Sequence, residues 1–449
     1  MPKYRYANLA PSLFLVVAMV LGGASLAGDA ANLLLQLLSL GIVCTLWALG
    51  PATRERTGAE AGLMWLFAAI CALIVITLIP LPPALWSSLP GREGAVRGFD
   101  LLGVALPWLP LSLSPASTLW SALSLLPVAA MAMVVRRSGT TSQRLLMASL
   151  LVMALGNALL GIFQFVTGIG SPLYLYAITN RGLAVGLFAN ANHLASLMAL
   201  AIPVAASFFG SEGENGRQQR TRTRQQRLII LLTLDAIFLV ACWMTDSMAG
   251  MALSLLGIGA SPFLFRNIRL RPPLVWAAAL LGIALIVATF AFALTRPGWL
   301  GPIDAAPGTS RQEIYPRAME IAHDTMPVGT GLGSFARVYQ SYEDPDVVTN
   351  VYANHAHNDV LELFVEWSFA GLAILLAFLV WTIIQARSLL DFSGRHAQSA
   401  RAAMAAIIIV ALHSLIDYPL RTSAMAVVMA AMFATLARRD WLGIGTDQN

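Results

Sequence analysis

Charged residues are scarce in this chain. Asp, Glu, Lys and Arg make up 11% of it against 57% hydrophobic residues, where a soluble domain carries about 25% charged residues. That balance excludes a soluble globular protein, because one soluble core cannot bury so much apolar surface. Cysteine is nearly absent. Cys44, Cys71 and Cys242 all fall within apolar runs, which argues against a disulfide framework on an outer face. Internal repeats and low-complexity tracts are missing too, and so are the paired, Gly- or Pro-interrupted spans typical of an inverted-repeat transporter.

What the chain does have is long apolar runs. Those of membrane-spanning length, about 17 to 25 residues, fall near 8–28, 31–50, 61–81, 118–135, 145–165, 193–209, 228–243, 248–265, 273–294, 361–385, 402–416 and 422–437, which makes twelve. The expected fold class is therefore an all-α polytopic membrane protein. Its orientation follows from the basic residues, which accumulate in cytoplasmic loops. Starting inside, the alternate connections carry twenty of the twenty-eight Lys and Arg residues. Arg92, Arg97, Arg181, Arg296, Arg311, Arg317, Arg337 and Arg421 fall on the opposite side, so both termini are expected in the cytoplasm.

The first run follows Lys3 and Arg5 and precedes Ala-Gly-Asp-Ala, as a signal peptide would. Removing it leaves Arg54 and Arg56 still needing the inside, so an uncleaved anchor is expected. The basic stretch within 210–227 is read as a cytoplasmic loop facing anionic lipid headgroups, not as a nucleic-acid site.

Two outer segments are too long for simple turns. Residues 82–117, rich in Pro and Trp, are expected to lie along the membrane interface. Residues 295–360 form a large polar loop before the tenth span. Within it, Ser310 is placed to cap a short helix with Ile314, Ala318, Ile321 and Ala322 on one face, ending before Pro327. Gly329, Gly331 and Gly333 then make a turn, with a second short helix expected over 334–342. No strand precedes these glycines, so they are not read as a phosphate loop.

The densest chemistry lies at His355-Ala-His357-Asn358-Asp359-Val-Leu-Glu362-Leu-Phe-Val-Glu366. A charge at bilayer depth costs about 2.5 to 3.5 kcal/mol on insertion scales, so ionisable groups kept at a membrane boundary are candidates for function. Asp359 and Glu362 read as a capping box at the start of an apolar helix. Glu366 lies one turn deeper on the face of Glu362, placed to partner His357 or an arginine. His355 and His357 have no third or fourth metal ligand nearby in sequence, so no metal is expected. His413, Asp417 and Arg421 recur every fourth residue and would share a helix face, but Pro419 interrupts them. Asp235 stands alone in the seventh span, with a hydrogen bond to another helix as its plainest role.

Five pieces, in order, carry a family resemblance: Asn180-Arg-Gly-Leu-Ala-Val-Gly-Leu-Phe-Ala-Asn-Ala-Asn-His193, Ser310-Arg311, Pro327-Val-Gly-Thr-Gly-Leu-Gly333, His355-Ala-His-Asn358 and His413-Ser-Leu-Ile-Asp-Tyr-Pro-Leu-Arg421. Across roughly residues 110–425 the chain resembles the O-antigen ligase and polymerase superfamily. The resemblance implies a C-type membrane glycosyltransferase of the bacterial inner membrane, metal-independent, inverting and without cofactor. Such an enzyme takes a glycan from undecaprenyl pyrophosphate at the periplasmic face and passes it to a growing glycan or to lipid A core. Two departures stand out: Ser368 replaces a glycine common where the histidine helix meets the bilayer, and Thr245-Asp-Ser-Met248 has Met where many members have Arg.

The resemblance assigns His357 the role of base toward the acceptor hydroxyl, a task suited to imidazole, or of orienting the acceptor. His355 is placed as an orienting or phosphate-contacting group, and Glu366 as the acid that partners His357 or an arginine. Arg181 and Arg311 would hold the pyrophosphate, since guanidinium stays charged and binds phosphate bidentately. Asn192 and Asn358 line the substrate site, and Arg421 is a possible substitute for the missing arginine at 248. Leu111-Ser-Leu-Ser-Pro115 and Thr118 look more like polymerase than ligase relatives. A small-anion transporter is the alternative class, because outward-facing arginines in a helical bundle suit either purpose.

Overall fold

The computed structural model describes residues 3–25, 29–50, 52, 55–209, 217–265, 310–346, 353–390 and 396–438. These residues form helices α1 (Lys3–Leu21), α2 (Ala30–Ala48), α3 (Gly58–Leu78), α4 (Pro83–Trp86), α5 (Glu93–Leu101), α6 (Pro115–Leu123), α7 (Leu125–Arg137), α8 (Thr140–Thr167), α9 (Ala191–Phe209), α10 (Arg217–Trp243) and α11 (Met248–Phe265). Helices α12 (Arg311–Thr325), α13 (Phe335–Tyr339), α14 (Asp359–Leu390), α15 (His396–His413) and α16 (Ser423–Ala437) follow. Strands are limited to β1 (Pro80–Leu81) and β2 (Leu109–Pro110) among the described residues, paired antiparallel with Pro80 opposite Pro110.

Seven helical segments are long and apolar enough to cross a membrane, and four shorter apolar helices accompany them among the described residues. Each coincides with one of the expected runs, while the run at 273–294 lies outside the described residues. The span expected over 118–135 is interrupted, since α6 ends at Leu123 and α7 starts at Leu125. Pro127 explains the interruption: it has no N–H for the carbonyl of Leu123, and its ring crowds that carbonyl.

Helix α9 lies at the centre, with α8, α10, α11 and α15 packed around it. It is buried on nearly every face, and its alanines and serines let neighbouring backbones come close. Gly250 of α11 shows how close: a β-carbon there would stand 2.4 Å from the Ala195 Cβ. Around this centre, α16 packs on α7, α15 and α1, and α14 packs on α3 and α12. At the opposite end from the histidines, Arg137 donates to the carbonyls of Leu46 and Gly50 and Arg438 to that of Val135, so arginines read as markers of orientation also close helix C-termini.

The 82–117 segment folds back on itself through the β1–β2 pair. Trp86 is buried and donates its indole N–H to the carbonyl of Pro107 at 2.8 Å, so this ring packs inside the segment instead of lying free at headgroup depth; Trp108 is exposed. Leu113 N–H donates to the Thr330 carbonyl at 2.8 Å, and this bond joins the segment to the glycine turn.

The described part of the 295–360 loop follows its sequence signals closely. Ser310 and Glu313 form the capping box of α12, which ends at Thr325. The second short helix is confined to Phe335–Tyr339.

Candidate functional site

The site gathers where the start of α14 meets the turn between α15 and α16. The cap of α14 is Asn358, not Asp359: the Asn358 Oδ1 accepts from the N–H groups of Val360 and Leu361 at 3.0 and 2.9 Å. Asn and Asp are comparable N-caps, and the one-residue shift frees both acids for other partners. Glu362 accepts from the Ala356 N–H at 2.8 Å and meets His355 Nδ1 at 2.9 Å, which folds the histidine loop over the helix end.

Helix α15 stops at His413, so His413, Asp417 and Arg421 do not share one helical face. A turn follows, then a short 3-10 turn at Pro419–Arg421 that satisfies proline's fixed φ. The Asp359 N–H donates to the carbonyls of Ser414 and Asp417, pinning this turn to α14.

Two networks result. In the first, the Arg421 guanidinium stands 3.0 Å from Glu366, 3.4 Å from Glu362 and 3.6 Å from Asp359. Burial acts against that cation, but the three carboxylates raise its pKa above the ordinary arginine value. Glu366, fully buried, pairs with Arg421 and not with His357 as the sequence left open. Its other oxygen accepts from the Phe335 N–H at 3.4 Å.

In the second network, His357 Nδ1 lies 3.3 Å from Asp417 Oδ1. Burial pushes the Asp417 carboxyl upward, but the hydrogen bond from His357 and the nearby His357, His193 and Arg311 hold it below the ordinary carboxylate range. His357 adopts a left-handed backbone with φ of 51°, and Tyr315 of α12 donates to its carbonyl at 3.0 Å. Tyr315 also bonds the side chains of Arg311 and Asn358, which brings Arg311 to the edge of the histidine loop. The Arg311 Nε is buried and has no hydrogen-bond partner among the described residues.

Four imidazoles surround this centre with graded access. The His357 side chain is 26% exposed and that of His355 13%, whereas His193 and His413 are buried, so His357 is the most accessible of the four. His413 Nδ1 meets the Ser196 hydroxyl at 2.7 Å. Tyr418 stands among the others: its ring centroid is 4.3 Å from that of His355, 4.9 Å from that of His357 and 5.1 Å from that of His193. Sequence reasoning quoted Tyr418 within a motif without giving it a task.

The residues expected from the 180–193 stretch divide. Asn190 reaches the centre, donating to the Tyr418 hydroxyl at 3.0 Å. Asn192 sits in the first turn of α9, half-buried, with its N–H bonded to Asn190 Oδ1. Arg181 is exposed and lies 5.5 Å from the centroid of the Tyr174 ring, within its own loop, so the structure does not bring it into the histidine cluster. Asp235 is likewise apart, with Oδ1 buried and without a partner among the described residues.

The glycine turn completes the site from outside. Helix α14 breaks at Ser368, where φ is 47° and ψ −131°. A break leaves carbonyls one turn earlier without their helical donors. Thr330 N–H donates to the Val365 carbonyl at 3.1 Å and Gly331 N–H to the Glu366 carbonyl at 2.8 Å, filling two of these positions. A β-carbon at Gly329 would stand 2.5 Å from the Glu366 oxygen, so glycine is what permits the approach.

An O-antigen ligase family model matches residues 233–376. That match supports membership of the O-antigen ligase and polymerase superfamily. The matched O-antigen ligase stretch holds Arg311, the glycine turn, both loop histidines, Asn358, Glu362 and Glu366, whereas Asp417, Tyr418, Arg421 and Asn190 reach the same cluster from outside it. No match is found among curated proteins.

Proposed function

We propose that the chain transfers a glycan from undecaprenyl pyrophosphate to an acceptor sugar hydroxyl at the periplasmic face of a bacterial inner membrane, as an O-antigen or exopolysaccharide polymerase or ligase. The observation that carries this reading is the His357–Asp417 pair beside Arg311. With Asp417 accepting from Nδ1–H, the His357 Nε2 carries the lone pair and faces the acceptor.

In the proposed step, the acceptor hydroxyl attacks the anomeric carbon and its proton passes to His357 Nε2. The new glycosidic bond forms on the face opposite the departing oxygen, which inverts the anomeric centre. The bond from that carbon to the pyrophosphate oxygen breaks, and undecaprenyl pyrophosphate leaves with the electron pair. Arg311, whose Nε has no partner among the described residues, takes up this charge. Arg181 meets the donor farther out, and guanidinium groups supply the neutralisation without a metal. Asn358 fixes the helix start beneath His357, and Asn192 lines the approach from α9. Twelve spans with both ends in the cytoplasm would put all these groups on the outer face.

The test supplies purified protein with an undecaprenyl-pyrophosphate-linked repeat unit, with and without lipid A core. A ladder from the donor alone identifies a polymerase, and product formed only with the core identifies a ligase. His357→Ala should lower the transfer rate by about 100- to 10,000-fold. Unchanged glycan transfer in His357→Ala, or anion uptake with no transfer, defeats the proposal.

A further inference from the structure

We propose that Tyr418 is the positioning residue that holds the His357 imidazole in its reactive orientation, an inference that rests on His357 being the base. A single hydrogen bond of 3.3 Å to Asp417 leaves an imidazole free to swing about the axis of that bond. The Tyr418 ring closes off this motion. It meets the His357 ring edge-on, with an interplanar angle of 71° and centroids 4.9 Å apart, a favoured geometry for paired rings.

Tyr418 suits this task because it is itself fixed. Its ring is buried, and its hydroxyl accepts from the Asn190 side chain at 3.0 Å and from that of Asn354. His355, tethered to Glu362, packs on the ring at 4.3 Å and 35°, so the ring has a second imidazole neighbour. Asp417 and Tyr418 are consecutive: one turn of chain supplies both the acceptor for Nδ1–H and the wall beside the ring. That turn is pinned in place by the Asp359 N–H. His357 itself holds a left-handed backbone, with φ of 51°.

The experiment compares Tyr418→Met and Tyr418→Phe with wild type, using purified protein, an undecaprenyl-pyrophosphate-linked oligosaccharide as donor, and an acceptor glycan. Met fills similar volume without a plane. Tyr418→Met should lower kcat by about 100-fold, the scale of a misplaced catalytic group, and leave the donor KM within about twofold. Tyr418→Phe, which keeps the ring, should restore most of kcat. In a His357→Ala background, Tyr418→Met should cost nothing further, because it acts through an imidazole no longer present.

An unchanged kcat in Tyr418→Met, or a further loss in the His357→Ala background, overturns the positioning role. If His357→Ala retains the wild-type rate, the base assignment has failed first; if it is inactive while Tyr418→Met is unaffected, only the positioning role falls. Should Tyr418→Met not fold, Tyr418→Trp replaces it: the larger ring displaces the imidazole and must lower kcat, and retention of kcat again overturns the inference.

Discussion

Arg421 Nη2 donates to Glu366 Oε2 at 3.0 Å across fifty-five residues of sequence, and the same guanidinium faces Glu362 and Asp359. A cation set among three carboxylates is committed to the fold. Replacing Arg421 with Ala leaves buried acids uncompensated, a loss of about 3 to 5 kcal/mol for a pair broken on one side. Arg421→Ala is expected to lower the thermal midpoint in detergent sharply, with Arg421→Lys intermediate. A normal midpoint with a raised donor KM would show instead that Arg421 binds pyrophosphate.

Asp417 carries a pH signature. Its carboxyl is held below its ordinary value of 3.8, so its contribution to stability is fully present above that pH and is lost as pH falls through the lowered value. Thermal midpoints should therefore show no Asp417-dependent change from neutrality down to about pH 4 and then fall more steeply in wild type than in Asp417→Asn. At neutral pH, Asp417→Asn should cut transfer by at least about 100-fold, because an amide does not stabilise the imidazolium that forms. Equal pH slopes for the two proteins count against the assignment.

Ser368 holds a backbone conformation that suits glycine, and its hydroxyl is buried without a partner among the described residues. Ser368→Gly relieves both costs and should raise stability by about 1 kcal/mol, seen as a higher midpoint with transfer retained. Gly329→Ala should do the reverse, since its β-carbon meets the Glu366 carbonyl. A lower midpoint for Ser368→Gly would show that the break does not strain the serine.

Arg311 and Arg181 are predicted to differ. Arg311→Ala should lower kcat by about 100- to 1,000-fold, the scale of losing one charge-stabilising donor in a transition state. Arg181→Ala, on an exposed loop, should raise donor KM with kcat nearly unchanged. Steady-state kinetics of both variants with varied donor decides between them.

Local signals in the sequence were legible. The Ser310 cap, the end of α12 before Pro327 and the apolar runs follow from residue spacing alone. The gathering of ionisable groups around His357 was legible too, since such groups at a membrane boundary are expensive. The pairings were not legible, because Glu366 finds its cation and His357 its acid fifty-five and sixty residues away in sequence. Spacing pointed to Asp359 as the cap of α14, and the cap is Asn358, because both residue types cap well and the pattern does not separate them by one position. The break at Ser368 was not read either: the apolar pattern runs on unbroken through it, and the carbonyls it leaves free are met by a loop from elsewhere in the chain. Pro127 shows the contrast, because there the interruption is written in the residue itself.

The break at Ser368 has a mechanical meaning. The segment Asp359–Trp367 is continuous in chain with the membrane helix below it, yet its last carbonyls are held by Thr330 and Gly331 and its acids by Arg421. It is clamped to the glycine turn on one side and to the turn after α15 on the other, so Glu362 and Glu366 are held by those two turns and not by the apolar helix that continues beyond Ser368. Covalent order and mechanical allegiance part company at one serine.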